Sequence, residues 1–250
     1  MIEEVHLWRG TPEQRALRSE LVKATQFAYF DVQLDHPDWR DKHVLDFGGN
    51  KGNLLLDPAC TIRHENYYVL DVIREAIDEG RKTFPQAHWF HYDRYNPSFN
   101  PDGTIDLPVP EMGVEFDVIL AYSVFTHTAW EETKDLIEQL RARLALGGVL
   151  AFTFIDPRWE SNLRWRLEKR NSAAQVEALI GESRDACWCS LVNGTNLYVE
   201  NSGAWDARST ECITYNVYYT EEFLRGEFPS AVIRRPVNQE MQHCCIIGRG

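Results

Sequence analysis

Val44-Leu-Asp-Phe-Gly-Gly-Asn-Lys-Gly52 is the stretch that decides the fold of this 250-residue chain. The residues from His43 to Phe47 read as a short buried strand. The glycines after them read as a turn that opens a helix over the apolar run Leu54-Leu55-Leu56. Glycine in such a turn supplies unusual dihedrals and lets the backbone approach a ligand closely. A dinucleotide-binding turn asks for G-x-G-x-x-G, which places glycines at 48, 50 and 53. Those positions hold Gly48, Asn50 and Asn53, so two of the three fail, and a nicotinamide oxidoreductase is disfavoured. An acid, Asp46, stands two residues before the first glycine.

Working outward, Tyr67-Tyr-Val-Leu-Asp71 reads as a second strand, residues 74–84 as a helix and residues 87–92 as a third strand. Four prolines and two glycines between 93 and 115 mark a loop. Phe116-Asp-Val-Ile-Leu-Ala121 is a fourth strand. Thr128 and Glu131 have capping-box spacing before a helix whose apolar face holds Leu136, Ile137, Leu140 and Leu144. Gly147-Gly148 is expected to stop that helix, with a fifth strand over 149–155. Upstream, Thr11-Pro12-Glu13-Gln14 has the form of a helix start, and Leu17, Leu21, Ala24 and Ala28 follow at helical spacing. Downstream, Thr220-Glu-Glu-Phe opens a last helix, and 231–235 and 242–248 read as closing strands. Strands alternating with helices over 12–156 predict an α/β fold, a doubly wound, mostly parallel sheet covered on both faces. One domain spans 1–250, with an N-terminal helical segment at 1–42 and an insertion after the fifth strand at 157–215.

Asp46, Gly48 and Gly52 resemble the acid-x-G-x-G-x-G motif of the class I, Rossmann-like S-adenosylmethionine-dependent methyltransferases. Asn50 replaces the middle glycine, with Gly49 beside it. The resemblance continues through Asp71 at the end of the second strand, Asp93 after the third, and Phe116-Asp-Val-Ile-Leu-Ala-Tyr-Ser-Val-Phe. It extends into Leu140-Arg-Ala-Arg-Leu-Ala-Leu-Gly-Gly-Val-Leu150, so it covers 43–156 well and the closing strands loosely.

The resemblance implies S-adenosylmethionine as cofactor and a set of residues around it. Gly48, Gly49, Asn50 and Gly52 would admit its methionine part, and Asp46 would order that turn and, directly or through water, the ammonium. Asp71 lies 19 residues after Gly52, where a carboxylate can accept both ribose hydroxyls, with Val72 beside it. Asp93 would accept from the adenine amino group, with Arg94 next to it, although Asp also serves as a common loop cap. Tyr122 and Ser123 sit at the end of the fourth strand, where open α/β sheets place ligands.

Methyl transfer is an in-line displacement from an activated sulfonium, so a base is needed only where the acceptor must lose a proton. His127, just past the fourth strand, is the first candidate base. Asp156, ending the fifth, is the second and His243 the third, each against a plain packing or capping role. The fourth strand ends in Ala-Tyr-Ser-Val, which lacks the Asn/Asp-Pro-Pro-aromatic motif for planar amino groups and the Pro-Cys nucleophile for cytosine. Only Asp156 could serve a magnesium site there, and one carboxylate is a thin site, so no metal is expected.

Hydrophobic residues make up 44% of the chain and charged residues 26%, the balance of a globular protein able to bury a large core. A net charge of −12 opposes a phosphate-tracking surface, so no nucleic-acid partner is expected. The first residues, Met1-Ile-Glu-Glu, lack the basic flank of a signal peptide, and no apolar run is long enough for a membrane span. The six cysteines show no CxxC spacing and read as reduced thiols in a cytoplasmic protein. A zinc site from Cys187, Cys189 and the 243–245 run lacks paired spacing.

The insertion carries four of the eight tryptophans, as acceptor-binding caps of small-molecule methyltransferases do, although the same rings could be its own core. Five basic and two acidic residues between Arg158 and Arg170 fit an anionic group on the acceptor, or a solvated helix face. The expected function is methyl transfer to a small-molecule acceptor, at oxygen. The alternative, which Asn50 keeps open, is a non-catalytic S-adenosylmethionine-binding scaffold or sensor.

Overall fold

The computed structural model describes residues 25–96, 99–128, 130–156, 187–191, 197–198, 215–236 and 242–249. Its elements in chain order are α1 (Gln26–Gln33), β1 (Val44–Phe47), β2 (Tyr67–Asp71), α2 (Arg74–Thr83), β3 (His88–His91), β4 (Phe116–Ala121), α3 (Trp130–Arg141), β5 (Leu144–Phe154), β6 (Cys187–Leu191), β7 (Leu197–Tyr198), β8 (Tyr215–Tyr219), α4 (Glu221–Glu227), β9 (Val232–Arg234) and β10 (His243–Gly248). Seven strands form one sheet in the order β3-β2-β1-β4-β5-β10-β9. Pairs from β3 to β5 are parallel, and β10 runs antiparallel to both its neighbours. β6, β7 and β8 form a separate antiparallel sheet in the order β7-β6-β8.

The central strands are buried on both faces, which is why they read as near-continuous apolar runs. Alternate residues serve the two sides. Val44, Val69, Val118 and Leu120 face a core completed by Phe27 and Phe30 of α1 and Ile77 of α2. Leu45, Phe47, Leu70, Ile119 and Ala121 face a second core completed by Leu136, Ile137 and Leu140 of α3 and Leu224 of α4. At β1 the order reverses, with β2 on one flank and β4 on the other. A crevice opens at the carboxyl ends of strands at such a switch point.

Two local expectations are corrected. The helix expected after the glycine turn is a single 3₁₀ turn, Asn53–Leu56, which ends in extended backbone at Asp57 (φ −74°, ψ 120°). Pro58 follows, and a residue before proline is driven out of the helical region. The helix expected to reach Leu144 ends at Arg141. The Arg143 carbonyl accepts from the Phe116 amide at 2.9 Å, so the sheet recruits the chain early and Leu144 is a buried strand residue. The glycine pair therefore lies inside β5, opposite the register shift between Phe116 and Val118. A Cβ on Gly148 would sit 2.7 Å from the Phe116 carbonyl oxygen. The proposed helix start at Thr11 and the Arg158–Arg170 stretch lie outside the described residues. No described helix is long and apolar enough to cross a membrane.

Candidate active site at the sheet switch point

The turn after β1 is built around the positions that the sequence singled out. Gly48 has φ +74°, its amide donates to the Leu70 carbonyl at 2.8 Å, and a Cβ there would meet Val124 at 2.4 Å. Asn50 takes φ +52°, the left-handed region that Asn tolerates better than most residues, so the missing middle glycine leaves the turn intact. Beneath it Asp46 is buried, accepts a hydrogen bond from the Tyr67 hydroxyl, and leaves no room for a side chain at position 49. Burial pushes the Asp46 carboxyl up to about 7, against the opposing hydrogen bond from Tyr67.

Asp71 closes the turn from the next strand. Its Oδ2 accepts from the Asn50 amide at 2.7 Å and its Oδ1 from the Ile73 amide at 2.8 Å. Burial raises its pKa despite these two donors. On the β4 side, Ser123 is held at φ +57°, with its amide donating to Thr153 Oγ1 at 2.7 Å. Such left-handed non-glycine residues cluster at ligand sites. The Tyr122 ring meets Tyr29 and Phe30 of α1 edge-on at 5.7 and 6.1 Å. His127 ends the 3₁₀ turn Phe125–His127 and meets the Phe99 ring edge-on at 5.7 Å.

These residues surround a cavity of about 470 Å³. Of the residues expected from sequence, Gly48, Asn50, Asp71, Val72, Arg94, Tyr122, Ser123 and His127 line it. Asp46, Gly49 and Gly52 are absent from the wall and support it from below. Asp93 is also absent: its exposed carboxylate accepts from Asn100 Nδ2 at 3.2 Å, because the loop from 93 to 104 folds back on itself. Arg94 turns inward instead. It donates from Nε to Glu132 Oε1 at 3.0 Å and from Nη1 to the Leu107 carbonyl at 2.7 Å. Burial raises the pKa of Glu132 even though Arg94 pulls it down. Asp156 lies outside the wall, accepting from the Glu221 amide at 3.0 Å at the start of α4. His243 is buried against Phe154 at a ring distance of 5.2 Å.

The sequence reading missed Gln26, Asn53, Tyr95, Phe99 and Glu132, all in the cavity wall. Asn53 directly follows Gly52 and was within reach of the motif; Gln26 and Glu132 carry no local signal. Among the described residues no group of three His, Cys, Asp or Glu side chains is placed to hold a metal. Cys60, Cys244 and Cys245 are free thiols.

Residues 45–150 match the family model of a methyltransferase domain. The fold is similar to that of an amino pentose methyltransferase from Micromonospora echinaspora, solved with S-adenosylmethionine. Identity there is 12%, the TM-score is 0.54, and the match covers 97% of this chain and 98% of that one. It is also similar to magnesium protoporphyrin IX methyltransferase from Synechocystis PCC 6803, solved with S-adenosylhomocysteine (14% identity, TM-score 0.50, 97% of this chain and 89% of that one). A third match is an S-adenosylmethionine-dependent methyltransferase from Clostridium acetobutylicum (12% identity, TM-score 0.52, 95% and 98%). At such identities the likeness is one of fold.

Proposed function

We propose that this chain is a class I S-adenosylmethionine-dependent methyltransferase and passes the methyl group to a hydroxyl oxygen of a small-molecule acceptor. One observation supports this reading above the others. The glycine turn, Asp71 and His127, which are far apart in sequence, line one cavity of about 470 Å³, a size typical of small-ligand sites. The residues present suit the cofactor: close backbone approach at Gly48, a buried carboxylate at Asp71, and carboxamides at Gln26 and Asn53.

When bound, the cofactor supplies a sulfonium-activated methyl group, so much of the rate comes from alignment. Asp71 accepts one backbone N–H on each oxygen and keeps further lone-pair positions for ribose hydroxyls. Arg94 and Glu132 pair at 3.0 Å in the wall, so neither presents an uncompensated charge to the cavity. His127 removes the acceptor proton, a step that a hydroxyl needs and a positioned base provides. Asp156 is committed to the Glu221 amide, which favours His127 for that role. The Tyr219 hydroxyl bonds Thr133 Oγ1 at 3.0 Å and the Phe125 carbonyl at 3.3 Å. The end of β8 is therefore fastened to the turn that carries His127, in keeping with an acceptor-side role for the insertion.

The test is turnover with S-adenosylmethionine on a panel of phenols, sugar hydroxyls and amines, with the product identified by mass. Methylated hydroxyls are expected, and products only from amines would refute the oxygen assignment. His127→Ala should lower turnover by about 10²–10⁴-fold with S-adenosylhomocysteine affinity unchanged. Turnover within a few-fold of native would leave His127 without a role as base.

A further inference from the structure

Ser123 is bent into a backbone conformation that groups outside its own turn hold in place. It takes φ +57°, where serine is rarely found and which persists only where the surroundings over-determine it. Its hydroxyl stays within the turn, 3.1 Å from Thr126 Oγ1. Its amide reaches out of the turn and donates to Thr153 Oγ1 at 2.7 Å. The parallel ladder between β4 and β5 stops at Ala121 opposite Phe152, and Thr153 is the next residue on β5. A side-chain hydroxyl thus takes over as acceptor where the ladder ends.

The directions of these bonds follow from their donors. The Ser123 N–H can only donate, so Thr153 Oγ1 accepts from it and gives its single proton to Gln242 Oε1, 2.6 Å away. The Gln242 carbonyl accepts from the Tyr29 hydroxyl of α1 at 2.9 Å, and the Tyr29 ring meets that of Tyr122 edge-on. Thr153 itself is fully buried and is not among the residues of the cavity wall. The turn it holds is in the wall: Tyr122, Ser123, Val124, His127 and Thr128 all line the cavity. The His127 amide closes that turn on the Val124 carbonyl at 2.9 Å. Tyr219 therefore pins the turn at its exit and Thr153 pins it at its entry.

We propose that Thr153 is a positioning residue: its hydroxyl sets the direction in which the chain leaves β4, and with it the place of His127 against the acceptor. This role rests on His127 being the base, as read above. Thr153→Val keeps the shape of the side chain and removes both bonds, whereas Thr153→Ser keeps the hydroxyl. In the full chain without ligand, amide exchange at Ser123, followed by NMR, should quicken about tenfold or more in Thr153→Val and stay near native in Thr153→Ser. Turnover of the best acceptor from the panel above should fall about tenfold or more in Thr153→Val, because small misplacements of a reacting group are costly. Thr153→Ser should restore most of it. In a His127→Ala background Thr153→Val should cost nothing further, because the group it positions is gone. Unchanged exchange or turnover in Thr153→Val overturns the proposal. So does a loss in Thr153→Ser as large as in Thr153→Val, or the full loss repeated in the His127→Ala background. A His127→Ala protein that turns over within a few-fold of native would instead overturn the base reading, and the proposal with it.

Discussion

Asp46 and Asp71 are both buried acids at strand ends, 25 residues apart in sequence, with different neighbours. Asp46 faces a tyrosine hydroxyl under the glycine turn and titrates near 7, against 3.8 for an ordinary aspartate. With the folded value raised, its contribution to stability is complete below pH 3.8 and is lost as pH rises through 7. The stability of native protein relative to Asp46→Asn should therefore fall between those limits, by at most about 1.4 kcal/mol per pH unit. Urea unfolding at several pH values measures this, and parallel curves for the two proteins would refute it. Asp71 instead holds two backbone amides and faces the cavity. Asp71→Ala should weaken S-adenosylhomocysteine binding by about 1.5–3 kcal/mol, the range for hydrogen bonds to a charged group. Unchanged affinity in calorimetry of a folded variant would remove Asp71 from the site.

Among the elements, α1 shows how a short helix becomes part of a binding site. Thr25 at its N-cap makes no side-chain cap bond, so the free amides of the first turn need another acceptor. Asp57 provides it from the chain beyond β1, and its other oxygen takes the Ala59 amide at 2.9 Å. Asp57→Ala should cost about 1 kcal/mol in urea unfolding, as loss of a helix cap does. Amide exchange should also quicken in α1 more than in β4, whose strand is held on both sides by β1 and β5. Uniform exchange in the two elements would show that α1 is held by its apolar face alone. No local sequence signal announces this cap, because the capping acid lies 29 residues away from Ala28. The 3₁₀ turn at Asn53–Leu56 was misread for a related reason: three leucines suggest a helix, and Pro58 ends it after one turn.

For the whole molecule, ligand binding and folding are linked. A cofactor that binds only the folded chain adds about 2.7 kcal/mol at a hundred times its dissociation constant. In a chain of this length that corresponds to a rise in Tm of roughly 5–11 °C. S-adenosylhomocysteine should produce this shift in a thermal melt, and NADH at the same concentration should not. A shift with NADH alone would reverse the choice made from the glycine spacing. This linkage reaches across the sheet because the cavity spans the ends of four neighbouring strands, with Arg94 beyond β3, Asp71 at β2, Gly48 beyond β1 and Ser123 beyond β4.

By itself the sequence determined the parallel α/β class, the central strands and the turn with its acid. Each of these depends on local chemistry: apolar runs buried on both faces, glycine at a close approach, an acid ending a strand. Only the tertiary structure decided the strand order, the early end of α3 and which side chains face the cavity. Side chains in extended chain alternate in direction, so one residue of register separates Arg94, which faces inward, from Asp93, which faces Asn100. Gln26 and Glu132 reach the same wall from opposite sides of the sheet, through packing contacts between segments that no local pattern links.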